Sequence, residues 1–156
     1  MTFDVVRIAE HIHGHLGWLA TAILVHPAVL LRDRKRRAHL AVGLAVLFPT
    51  VVGAVGMWVY GPYRDRIKQS IFIDARWVGL LFERKEHLAF AAILLSWAGG
   101  AAYVLAQRAR SDGPDGSDGS TSETLHMLAF RAFVAASALA LIVAVLGTVV
   151  ASFRTF

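Results

Sequence analysis

Four apolar stretches, at about residues 16–31, 38–60, 88–106 and 125–153, alternate with charged or polar connections. Each is at or near the ~20 helical residues that cross a hydrocarbon core of roughly 30 Å. The period-2 alternation of a membrane barrel is absent. Backbone groups inside lipid must bond within their own segment, so the stretches predict antiparallel helices. The expected fold is therefore all-α, an integral membrane up-down four-helix bundle. It forms one domain over residues 1–156, with spans at about 11–31, 38–60, 86–107 and 124–153.

The connections refine this picture. The first helix is expected to start near Asp4 and run amphipathically along the interface before entering the bilayer. Asp4 and Glu10 stand where a cleavable signal would carry basic residues, and no small-x-small cleavage site follows. The first connection, Arg32-Asp33-Arg34-Lys35-Arg36-Arg37, holds five basic residues. The second is longer, and Asp74 is a candidate N-cap that would let the third helix reach back to Ala75. The third, SDGPDGSDGSTSET, has the composition of a flexible linker, and Ser120-x-x-Glu123 matches a capping box for the fourth helix.

Composition agrees. Apolar residues make up 56% and charged residues 17% of the chain, with a mean hydropathy of +0.56. A soluble domain is nearer a quarter charged. The absence of cysteine excludes disulfides, thiolate metal sites and haem attached through C-x-x-C-H. The net charge of +5 and the pI of about 10.2 come from basic residues flanking apolar runs. That is a membrane pattern, without the aromatic–basic interleaving of a nucleic-acid surface. The dense first connection is expected to be cytoplasmic, in a bacterial cytoplasmic membrane, which leaves both termini outside.

Seven histidines are the main candidate chemistry. The up-down topology places His11, His13, His15 and His87 at an outer level and His26, His39 and His126 at an inner one. His15 and His26 are eleven residues apart. They share a helix face to within about 20° and stand ~16.5 Å apart along it. On the second helix, His39, Gly43, Val46, Thr50, Gly53 and Met57 form a small-residue stripe. On the third helix, His87, Ala91, Leu94, Ala98 and Ala101 form another; on the fourth, His126, Phe130, Phe133, Ser137 and Ala140. Imidazoles on facing helices, with small residues beside them, suit a flat macrocycle in a bundle core. Glu83, one turn before His87, would hold its other ring nitrogen. Arg84, Arg64 and Arg76 would meet haem propionates outside, and Arg36, Arg37 and Arg131 inside. The same glycines also suit plain helix packing, and Met57 suits packing or ligation.

The helix starts R-R-A-H39-L-A-V-G43, K-E-H87-L-A-F-A and L-H126-M-L-A-F-R resemble those of small four-helix membrane cytochromes of the b type. A more distant likeness is to the four-helix unit of haem A synthases. The resemblance implies one or two b haems. It implies an outer site of His15 and His87, and an inner one of His26 with His126 or of His39 with His126. The implied function is electron transfer across or along the bilayer, as a subunit of a larger redox complex, with other redox subunits or a quinone as partner. A self-contained enzyme is not implied. Two other readings stand beside it. One is a cofactor-free accessory subunit. The other is a zinc or copper protein using His11-x-His13-x-His15 as an extended segment, in which alternate residues share a face.

Overall fold

The computed structural model describes residues 3–34, 36–64, 69–112 and 119–153. Among the described residues all regular structure is helical: α1 (Phe3–Leu30), α2 (His39–Tyr63), α3 (Gln69–Asp74), α4 (Arg76–Asp112) and α5 (Gly119–Ser152). Of these, α2, α4 and α5 are long and apolar enough to cross a membrane. The first expected span is not among them. Helix α1 is long, but Glu10 and four histidines dilute its apolar content.

Each long helix packs against two others. Helix α1 meets α2 and α5, and α4 meets α5 and α2. Contacts fix the directions. The Ser122 hydroxyl at the head of α5 donates to the Ala106 carbonyl near the end of α4, at 3.0 Å. At their other ends, Trp77 of α4 meets Phe153, just past α5, edge to face at 4.8 Å. Helix α2 runs against α4 in the same reversed sense. A Cβ on Gly100 would stand 2.7 Å from Val46, and one on Gly53 would stand 2.6 Å from Ile93. Between these two contacts the Trp97 indole donates to the Thr50 hydroxyl at 2.9 Å, and Thr50 in turn donates to the Val46 carbonyl.

The core explains which face of α1 turns inward. Ala20, Leu24, Pro27 and Leu31 recur at spacings of four, three and four, and all are buried. Leu24 and Leu31 join Ala38, Val42 and Ala45 of the second segment, Ala102 and Tyr103 of α4, and Ala129, Phe133 and Ala136 of α5. Small side chains dominate this cluster, which lets helix backbones approach closely. A second cluster, Ile71, Val78, Phe82 and Val150, closes the opposite end around α3.

Two local expectations are corrected. Asp74 does not cap the third long helix: it ends the short helix α3, and α4 begins after a break at Ala75. Helix α5 begins at Gly119, so Ser120 lies inside it. Glu123 does not close a capping box, because its carboxylate is taken by Arg34 of the first connection. Pro27 lies inside α1, which is helical on both sides of it. Lys35 of the first connection and residues 113–118 of the polar linker lie outside the described residues.

Candidate functional site

The histidines fall into two groups by the direction of their helix face. The face carrying His15 and His26 is one face, as their spacing requires, and it points outward: both are exposed. His11, one turn from His15, is exposed with them. The inward face of α1 instead carries His13, which stands beside α2. A Cβ on Gly56 would lie 2.8 Å from His13 Cε1, so glycine is what admits the ring there. His13 Nδ1 is buried without a hydrogen-bond partner. The sequence held a signal for this: His13, Gly17, Ala20, Leu24, Pro27 and Leu31 form a continuous 4-3-4-3-4 seam. The helical geometry also removes the extended His11-x-His13-x-His15 arrangement, since His13 faces away from the other two. Among the described residues no group of three or more histidine or acidic side chains is placed to hold a metal ion.

At the end formed by the first connection, a set of polar contacts ties four segments together. His126 is 4% exposed, and its Nε2–H donates to the Leu31 carbonyl at 3.0 Å. A carbonyl can only accept, so Nε2 carries a proton, while Nδ1 is buried and without a hydrogen-bond partner. Tyr103, 2% exposed, accepts the N–H of Ala38, the residue that precedes α2, at 3.2 Å. The exposed His39 ring meets Tyr103 edge to face, with centroids 5.3 Å apart. Outside these, Arg34 pairs with Glu123, and the Arg110 guanidinium reaches the Arg34 carbonyl at 3.4 Å. The hydrogen bond and the charge of Arg34 hold the Glu123 carboxyl below the usual carboxylate range. Tyr103 and the Leu31 carbonyl were not singled out from the sequence. A tyrosine in an alanine-rich run is ambiguous, and a backbone acceptor leaves no trace in side-chain pattern.

At the far end, His87 is exposed and its Nδ1–H donates to the Glu83 backbone carbonyl at 2.8 Å. The acceptor is the helix backbone one turn earlier, which any residue at position 83 would supply, and not the Glu83 carboxylate. The bond commits Nδ1 and leaves Nε2 as the ring nitrogen that could meet a metal. Arg84 is exposed beside it.

The small-residue stripe on α2 is divided. Val46, Thr50 and Gly53 form the seam with α4, and the Ile93 δ-methyl fills the space at Gly53. Gly43 has nothing within 4 Å of its would-be Cβ, and Met57 is 80% exposed. The stripe is thus a helix seam at its centre and open at both ends. The stripe from His126 through Phe133 and Ser137 does face the core, whereas His87, Leu94, Ala98 and Ala101 face outward.

Comparison with known protein families, curated proteins and solved structures finds no match to this chain.

Proposed function

We propose that the chain is an integral membrane protein, an up-down four-helix bundle, that binds haem b through histidine and passes electrons as one subunit of a larger membrane redox complex. The observation that carries the reading is His87. Its Nδ1 is held by the Glu83 carbonyl, which leaves the exposed ring's Nε2 uncommitted, and this supports its use as an iron ligand. Three membrane-length helices support the location. Bound haem b would supply one-electron chemistry at iron. The chain's own contribution would be to orient imidazoles, to offer guanidinium groups such as Arg84 to propionates, and to exclude water with its apolar faces.

The outward direction of His15, His26, His39 and His87 bears on the proposed pairs. His15 with His87 is the outer pair, and His26 or His39 with His126 is the inner one. Each pair contains at least one exposed ring, and His126 spends Nε2 on Leu31. Exposed ligands suit a site completed by a neighbouring subunit or a quinone-bearing partner, in keeping with a chain that works inside an assembly. The second reading is a cofactor-free accessory subunit. It is favoured by the α2–α4 seam, where Gly53 is filled by Ile93 rather than left beside a cavity.

Absorbance spectra of the purified protein and its variants test the proposal. His87→Ala is expected to remove the spectral component of the outer haem and leave helical content unchanged. An unaltered spectrum in that variant rejects His87 as a ligand. His26→Ala is the informative inner variant, because it is exposed. Replacing His126 also strips a buried carbonyl of its donor and mixes folding with ligation.

A further inference from the structure

Arg131 is the charged residue placed least economically for a membrane helix. It lies twelve residues into α5, with apolar stretches on both sides, and it is exposed. It makes no side-chain hydrogen bond or ion pair among the described residues. An unpaired guanidinium at such a depth is costly unless it reaches the interface or a counter-ion. The helix supplies a route. Side chains lean toward the helix N-terminus, which for α5 is the end beside the first connection. A long stem laid along apolar surface would let the head reach toward that end.

The same end is rich in cations of two kinds. Arg34 is paired with Glu123, and Arg36 lies 3.6 Å from Asp33. Arg32, Arg37 and Arg108 are exposed and make no such pairing among the described residues. Arg110 lends one nitrogen to the Arg34 carbonyl. By sequence this end carries Arg32, Arg34, Lys35, Arg36, Arg37, Arg108, Arg110 and Arg131 against Asp33, Asp112, Asp115, Asp118 and Glu123, an excess of three positive charges.

We infer that Arg131 is the anchor of an anionic phospholipid site on the outer surface of α5. The guanidinium holds a lipid phosphate in the leaflet at the first-connection end, and the uncommitted Arg32, Arg37 and Arg108 supply the preference for anionic headgroups. Planar guanidinium suits a phosphate, which it binds with two parallel N–H donors. Apolar neighbours Met127, Leu128 and Val134 are exposed on the same helix and would lie along the acyl chains. The inference needs the membrane location and does not need haem.

The test uses the full chain in nanodiscs of phosphatidylcholine with or without phosphatidylglycerol, and counts lipids retained on mild extraction by native mass spectrometry. The protein is expected to retain phosphatidylglycerol in preference. Arg131→Gln should weaken that preference about fivefold, the effect of one basic residue at a membrane surface, while Arg34→Gln leaves it unchanged. Millimolar inorganic phosphate should not displace the lipid. Circular dichroism of each variant shows whether the helices are retained. If Arg131→Gln lost helix, Arg131→Lys is expected to keep a weakened preference. Equal retention of both lipids overturns the inference. So does an equal loss in Arg34→Gln, which would indicate diffuse charge. A loss of haem from Arg131→Gln with lipid preference intact would assign the residue to a propionate and also overturn it.

Discussion

At the scale of single residues, the contact between Gly56 and His13 is the tightest constraint on where an imidazole can go. A methyl at position 56 would stand 2.8 Å from His13 Cε1, inside normal contact distance. Because that atom is the far end of a rotatable, half-buried side chain, Gly56→Ala is expected to displace the His13 ring at less than the ~1–3 kcal/mol of overpacking in a rigid core. His13→Ala in the same chain should recover most of the loss, and a double-mutant cycle of unfolding in detergent measures the coupling. The Thr50–Trp97 bond joins α2 to α4 within apolar surroundings. Thr50→Val should cost about 0.6 kcal/mol, the average for polar pairs between membrane helices, read by the same unfolding assay. The sequence made the histidines conspicuous but did not say which way they turned. His15 and His26 share a face, and that much follows from helical periodicity. That the face is outward follows from Leu24 and Leu31 claiming the core side, a competition between stripes that residue spacing alone leaves undecided.

At the scale of elements, the helices were legible where apolar runs are long. Helices α2, α4 and α5 contain the three later stretches, and the short connection between α1 and α2 is where the basic run placed it. The helix ends were harder to read because they depend on tertiary partners. Glu123 was expected to bond back within its own helix, but Arg34 from a distant segment takes its carboxylate. The short helix α3 packs under α4, a tertiary consequence that its six residues do not announce. The Arg34–Glu123 pair also sets a pH dependence. Glu123 is held below its unfolded value, so the pair's contribution is complete above the ordinary carboxylate range. It is lost as pH falls through the depressed folded value. Both groups are solvent-exposed, so the effect is small. Thermal unfolding followed from pH 7 down to pH 3 should show a shallower acid-side decline in Arg34→Gln than in the parent chain. Identical slopes would mean that the pair contributes nothing.

At the scale of the whole molecule, three helices can span a bilayer, while α1 carries the polar groups that a lone lipid-facing helix would avoid. In the proposed reading the His15–His26 face meets another subunit rather than lipid alone. The asymmetry also explains why the candidate site was only partly legible. One chain supplies imidazoles at two depths, but a ring held between helices needs rings that face each other. In this chain the inward ones, His13 and His126, sit at opposite ends. The haem reading therefore rests on ligands presented outward, with His87 the best prepared of them. The most direct measurement is pyridine-haemochrome quantification per chain on protein purified in mild detergent from its native membrane, with associated subunits retained. The account predicts one or two b haems per chain, with the outer component lost in His87→Ala. Colourless, folded and metal-free material, with its partner subunits present, would contradict it.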